Sequence, residues 1–247
     1  MSYWQILQTQ LQLQAGEVHI WKIELDCADC QWQPLMALLS IDEQIKADRY
    51  RFEQHRRRYI MGRTALRKLL GAYLNCATET LNFVYNDHGK PSLANDDSGL
   101  HFNVSHSGEI MLAAFVLNSG IGIDVETIQQ DTDYLAIGQC WFSEQESSVL
   151  RDLSEEKRVG AFFRAWTRKE AYIKARGIGL SYSLNSFSVS MDETSPSLLE
   201  HEDCLQKIKS WQIYNVEVSR DYSAAVAIEA ARWDIRYYDF DSSLGHL

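Results

Sequence analysis

The run Gly120-Ile121-Gly122-Ile123-Asp124-Val125-Glu126 alternates apolar and small or acidic residues without a break. Side chains of a strand point to opposite faces in turn, so Ile121, Ile123 and Val125 share one face. Asp124 and Glu126 share the other, with their carboxylates roughly 7 Å apart. Such a strand keeps one face in a core and carries charge on the other. Paired acids in that position either face water or are neutralised by a hard cation. Oxygen donors on a rigid strand suit Mg2+, which prefers a near-octahedral shell completed by waters and phosphate oxygens. By itself the D-x-E pattern leaves both readings open.

Working outward, His101 to Ser105 and Ile110 to Leu117 read as strands joined through Ser107-Gly108-Glu109, and Asn118-Ser119-Gly120 turns the chain into the run above. Links this short predict three antiparallel strands. Asn86-Asp87-His88-Gly89-Lys90-Pro91 has turn chemistry. Before it, apolar residues at helical spacing from Ile41 predict a short helix and then a long one ending near Asn75. After it, Ser143 to Leu153 reads as helical, and a long helix runs from about Ser154 to Arg176 with Gly177 as its C-terminal cap. Strands are expected at Ser186 to Ser190, Trp211 to Val218, Tyr222 to Glu229 and Ile235 to Tyr238. An offset of 106 pairs Arg63 with Lys169, Ala65 with Ala171, Lys68 with Lys174 and Gly71 with Gly177. The expected fold is therefore α+β: a pseudo-dimer of two similar halves, residues 1–122 and 123–247, packed face to face. Each half is a long helix on a small, mainly antiparallel sheet, with one site between them.

The bulk composition narrows the function. In 247 residues, 45% hydrophobic and 11% aromatic side chains are enough to fill a core, which excludes a disordered chain. No apolar run approaches the roughly 20 residues that span a bilayer, and Met1 to Gln14 lacks the basic flank and apolar core of a signal peptide. The expectation is a cytoplasmic protein with no membrane partner. Five cysteines at irregular positions are expected to stay reduced, and Cys27 and Cys30 form a C-x-x-C with no second pair to complete a zinc site. A net charge of −10 argues against a nucleic-acid partner. The charge is uneven, though: Arg49, Arg51, Arg56, Arg57, Arg58, Arg63, Arg67 and Lys68 face only Glu53. Most of such a stripe is a solvated helix face, but it is also where a small polyanion would bind.

Two further segments carry chemistry. Trp166-Thr167-Arg168-Lys169-Glu170-Ala171-Tyr172-Ile173-Lys174 lies on the second long helix, where Glu170 and Lys174 are one turn apart. They form either a helix-stabilising pair or, on a helix that is apolar on several sides, a site for a metal and a phosphate. In Phe102-Asn103-Val104-Ser105-His106-Ser107, Ser105 and His106 are strand neighbours and point to opposite faces. They cannot be a nucleophile and its base, which sets a serine hydrolase aside.

These segments in this order, with Gly89-Lys90-Pro91 and Phe142-Ser143-Glu144-Gln145-Glu146, resemble the Sfp-type 4'-phosphopantetheinyl transferases, including HetI-like and Gsp-like enzymes. The resemblance covers residues 39–238. It implies transfer of phosphopantetheine from coenzyme A to a serine of an apo acyl or peptidyl carrier protein of fatty-acid, polyketide or non-ribosomal peptide synthesis. By match to the family motifs, Asp124, Glu126 and Glu170 would ligate Mg2+, with Mn2+ as a substitute, and Lys174 would contact the phosphates. Glu170 and Lys174 are thus the implied catalytic residues. Lys90, Ser105 and His106 would hold the adenosine 3'-phosphate end, assisted by Arg58. Where the best-aligned family member has two lysines just before the stripe, this chain has Glu43 and Lys46, so only Lys46 carries over. Two fused halves imply a monomer. A Mg2+-dependent nuclease and a non-catalytic carrier-binding module are the competing readings. The acidic charge and the Glu170–Lys174 spacing disfavour the first, and the intact acid triad disfavours the second.

Overall fold

The alternation along residues 110–126 divides the molecule into layers. The computed structural model describes residues 4–6, 11–26, 32–94, 97–179, 182–201, 210–229 and 232–240; Cys27, Cys30 and Cys204 lie outside them. In chain order, β1 (Gln5–Ile6) and β2 (Glu17–Glu24) precede α1 (Ile41–Asp48) and α2 (Glu53–Leu74). A small hairpin, β3 (Phe83–Tyr85) and β4 (Pro91–Leu93), leads to β5 (Leu100–Ser107), β6 (Ile110–Leu117) and β7 (Ile121–Thr127). Then come α3 (Tyr134–Trp141), α4 (Glu144–Asp152) and α5 (Glu155–Arg176). The remaining strands are β8 (Phe187–Val189), β9 (Leu198–His201), β10 (Trp211–Asn215), β11 (Tyr222–Glu229) and β12 (Asp234–Asp239).

Helix ends follow their local chemistry. α1 and α4 open on capping boxes, Ser40 with Glu43 and Ser143 with Glu146, each satisfying two orphan donors. α2 and α5 are both 22 residues long and end on left-handed residues, Asn75 at φ 50° and Gly177 at φ 69°. Their ends lie 102 residues apart in sequence (155 − 53).

Four layers result. α2 packs Ala65, Leu66 and Leu69 against Trp21, Phe102 and Phe115 of a five-stranded sheet ordered β1-β12-β2-β6-β5. The opposite face of that sheet, Ile20, Leu112, Ala114 and Val116, meets Ile121, Ile123, Val125 and Val226. These belong to a three-stranded sheet ordered β10-β11-β7, whose far side carries Ala225 and Ala227 against Ala171 and Ala175 of α5. Each strand serves two layers by its period of two, so the α+β plan of paired helix-on-sheet halves is what forms.

Two pairings differ from expectation. β5 and β6 are antiparallel, but β7 does not continue that sheet; it pairs antiparallel with β11, Asp124 opposite Ala225. The turn at Asn118, with φ 52°, carries the chain from one layer into the next. β7 still abuts β5 edge to edge through side chains: Asn103 Oδ1 accepts from Ile123 N at 2.8 Å, and Ser107 Oγ from Thr127 N at 3.0 Å. β12 also breaks the mainly antiparallel pattern. It returns to the first sheet and lies parallel between β1 and β2, with Tyr238 stacked on Trp21 at 4.8 Å.

Candidate active site

The site begins at a missing side chain. A Cβ on Gly122 would lie 2.1 Å from Ala171 O and 2.3 Å from Ala175 N, so α5 rests directly on the β7 backbone there. The next two residues on that face of β7 are Asp124 and Glu126, and the α5 residues flanking the contact are Glu170 and Lys174. The close approach thus sets two acids of a strand against an acid and a base of a helix.

Lys174 Nζ donates to Asp124 Oδ1 at 2.6 Å and to Ser105 Oγ at 2.9 Å, and Ser105 Oγ donates to the same carboxylate oxygen at 2.9 Å. The expected helical pairing of Lys174 with Glu170 yields to this cross-layer contact. Asp124 is 2% exposed, and its second oxygen, Oδ2, is buried without a hydrogen-bond partner. Ser107 Oγ donates to Glu126 Oε2 at 3.1 Å. Burial raises Asp124, and Lys174 opposes that rise. Glu126 is raised by burial and then by Asp124. Glu170 is pushed to about 7 by burial and then by Asp124, with Lys174 pulling it down and Glu126 adding to the rise. The Asp124 charge thus raises both other acids, and Lys174 only partly offsets it. Among the described residues, no three His, Cys, Asp or Glu side chains are gathered tightly enough to grip a metal as they stand. The Lys174 ammonium supplies the positive charge at Asp124.

On the α2 side of the β5–β7 seam lies a cavity of about 430 Å³. Lys46 of α1, Arg58 of α2 and His106 of β5 line it, with Tyr59, Val104 and Met111 forming apolar walls. As strand geometry requires, Ser105 and His106 face opposite ways, Ser105 to the acids and His106 to this cavity. Lys90 and Ser105 lie outside that lining. Lys90 Nζ instead donates to Lys174 O at 2.6 Å and Ile121 O at 3.2 Å, and its ammonium is lowered to about 8 by burial and by Lys174.

Several partners escape sequence reading. Asp26, at the end of β2, accepts two bonds from Arg58, one from Nε at 3.0 Å, and holds the guanidinium in place. Glu43 of α1 is buried. It accepts from Arg63 and, at 2.7 Å, from Arg67 Nε, so these two arginines tie α1 to α2 and leave the solvated stripe. Lys169, beside Glu170, is fully buried: its ammonium meets Glu146 Oε2 at 2.8 Å and Leu184 O at 2.8 Å, fastening α4 to α5. The signal for Lys169 was there in the capping box of Ser143 and Glu146. Nothing local marks Asp26.

Comparison with known proteins gives independent bearings. A family model described as 4'-phosphopantetheinyl transferase, N-terminal, matches residues 24–117, and one described as the 4'-phosphopantetheinyl transferase superfamily matches residues 120–227. The chain is 36% identical over 232 residues to 4'-phosphopantetheinyl transferase HetI of Nostoc sp., covering 93% of this chain and 95% of the relative. It is 29% identical over 182 residues to 4'-phosphopantetheinyl transferase Sfp of Bacillus subtilis, covering 72% and 79%. It is 25% identical over 233 residues to a mouse L-aminoadipate-semialdehyde dehydrogenase-phosphopantetheinyl transferase, covering 87% and 75%. The two model matches meet at the Asn118 turn, where the chain passes from one sheet to the other. Over nearly its full length, from basic cavity to acid cluster, the chain belongs to the Sfp-type 4'-phosphopantetheinyl transferases.

Proposed function

We propose that this enzyme transfers the 4'-phosphopantetheine group of coenzyme A to a serine hydroxyl of an apo acyl or peptidyl carrier protein in the cytoplasm. Adenosine 3',5'-bisphosphate is released. The observation that carries the reading is the convergence of Asp124, Glu126, Glu170 and Lys174 beside a cavity lined by Lys46, Arg58 and His106. A basic cavity next to an acid cluster is a polyphosphate site divided by role. Cationic side chains bind the nucleotide end, and the carboxylates serve the reacting diphosphate. The net charge of −10 suits a small anion held locally better than a polynucleotide. Both halves of the cleft come from one chain, so a monomer suffices.

The residues present fit a divalent cation. Asp124 raises both Glu126 and Glu170, Glu126 adds to the rise of Glu170, and a buried oxygen of Asp124 has no partner. Asp124, Glu126 and Glu170 would hold Mg2+, or Mn2+ in its place. When bound, the ion neutralises diphosphate oxygens and lowers the barrier to attack on an already negative centre. Lys174, whose ammonium donates to Asp124, would contact the phosphates. The carrier serine Oγ forms a bond to the β-phosphorus, and the bond from that phosphorus to the bridging oxygen breaks. The bridging oxygen and its electron pair leave on the nucleotide. Glu170 accepts the serine proton.

Incubation with coenzyme A, Mg2+ and a panel of apo-carriers, followed by intact mass measurement, tests the reading. At least one carrier should gain a phosphopantetheine group in a metal-dependent manner. No gain on any carrier, with coenzyme A bound, would favour a binding module instead.

A further inference from the structure

The turn at residues 86–90 grips α5 from the opposite half of the molecule. Asn86 Oδ1 accepts the N–H groups of His88 at 3.0 Å and Lys90 at 2.9 Å, and Asn86 N donates to Lys90 O at 3.1 Å. Gly89 supplies the φ of 78° that closes the turn, and Pro91 stiffens the chain just after Lys90. From this firm base the half-buried Lys90 ammonium reaches the carbonyls of Lys174 and Ile121, while Asn86 Nδ2 donates to Gly177 O at 3.0 Å. The last turn of a helix presents unpaired carbonyls and the negative end of its dipole, where a cation is stabilising. Ile121 is the first residue of β7. One ammonium therefore joins the end of the helix bearing Glu170 and Lys174 to the start of the strand bearing Asp124 and Glu126.

We propose that Lys90 is a positioning residue for the transfer: it fixes α5 on β7 so that the Lys174 ammonium stays at the phosphates, and it does not itself bind the nucleotide. The inference rests on the transfer reaction proposed above. Lys174 is anchored at both ends, its ammonium by Asp124 and Ser105 and its carbonyl by Lys90. When phosphates draw the ammonium off Asp124, the backbone anchor is what keeps it in register. An ammonium held between two carbonyls would have to abandon them to meet a phosphate, and Lys90 does not line the cavity of Lys46, Arg58 and His106.

Lys90→Met keeps the stem and removes the donor. Steady-state kinetics with coenzyme A and with its 3'-dephospho form, together with amide hydrogen exchange at residues 174–177, separate the two roles. A positioning residue lowers kcat between about 10- and 100-fold through misplacement of the reacting groups. It leaves KM for coenzyme A within about threefold and the preference over the dephospho form intact, because uniform binding is not what it supplies. Exchange in the last turn of α5 should quicken. Asn86→Ala keeps the Lys90 ammonium but removes the tie to Gly177 together with the turn's bonds to the His88 and Lys90 N–H groups; it should show the same pattern and serves if Lys90→Met does not fold. A raised KM with lost preference and unchanged kcat would assign Lys90 to the nucleotide and overturn the proposal. Unchanged kcat and exchange in a folded variant would overturn it too. A wild-type enzyme that modifies no carrier would strike the transfer reading instead, with the exchange result still deciding whether Lys90 secures the helix.

Discussion

Glu170 carries two demands that its variants can separate. As a metal ligand it supplies an oxygen that Glu170→Gln retains, so raised Mg2+ or added Mn2+ should restore much of the rate. As the proton acceptor it supplies a basicity that glutamine lacks, and general-base catalysis is worth about 10²- to 10⁴-fold. We expect the larger part of that deficit to persist at saturating metal. The sign of the pH dependence follows from the role: burial and Asp124 raise Glu170, a bound cation would lower it again, and kcat falls on the acid side wherever the loaded enzyme's carboxylate takes up a proton and the base is lost. That limb should vanish in Glu170→Gln; full metal rescue with the limb intact would place the base elsewhere. Arg58 belongs to the nucleotide end, where it contacts groups remote from the reaction. Arg58→Ala should raise KM for coenzyme A about tenfold and leave kcat within about threefold. An unchanged KM would return it to the role Asp26 already shows, a surface ion pair. The acids were legible in the sequence because period-two alternation and a helical i,i+4 step are local. Asp26, 32 residues from its arginine, and Lys90, 84 residues from the carbonyl it holds, leave no local trace.

At the scale of elements, the contact of β7 with α5 governs the site. Gly122→Ala places a methyl carbon 2.1 Å from a backbone oxygen of α5, which no side-chain rotation can relieve. Either α5 lifts from the sheet or the chain fails to fold well. Overpacking typically costs about 1–3 kcal/mol, and a clash with backbone belongs at or above the upper end. The expected result is a lowered denaturation midpoint together with a loss of transfer larger than the loss of folded protein explains. Wild-type stability and rate in this variant would mean that α5 has room to spare. The element boundaries were readable from caps: Gly177 and Asn75 each end a helix with a left-handed residue. Which strand pairs with which was not. The link Asn118-Ser119-Gly120 is short enough for a hairpin, and only the apolar face that Ile121, Ile123 and Val125 share with Val226 sends β7 to the other sheet.

For the molecule as a whole, acid sensitivity has a named source. His19 of β2 is 2% exposed and lowered to about 4 by burial, against the pull of Glu17 and with Arg236 adding to the lowering. Trp21 Nε1 donates to Tyr73 Oη at 2.9 Å, and the same hydroxyl lies 2.8 Å from His19 Nδ1, a contact that a neutral ring completes in either tautomer. A histidine depressed on folding takes up its proton first in the unfolded chain. Its contribution is complete above about 6.5 and is lost as pH falls toward 4. The full loss is about 3 kcal/mol at 1.36 kcal/mol per unit. Urea midpoints measured across that window should drop in the wild type and stay flatter in His19→Gln; parallel curves would point to the carboxylates instead. The sheet that contains His19 holds a further consequence. β12 lies between β1 and β2, so the first sheet has a gap until residue 234 has been made. At ribosomal speeds of about 5–20 residues per second, the strands up to Leu117 wait on the order of ten seconds for their missing neighbour. During synthesis the nascent first half carries an unpaired edge of β2, open to pairing with another chain, until β12 arrives to seal it.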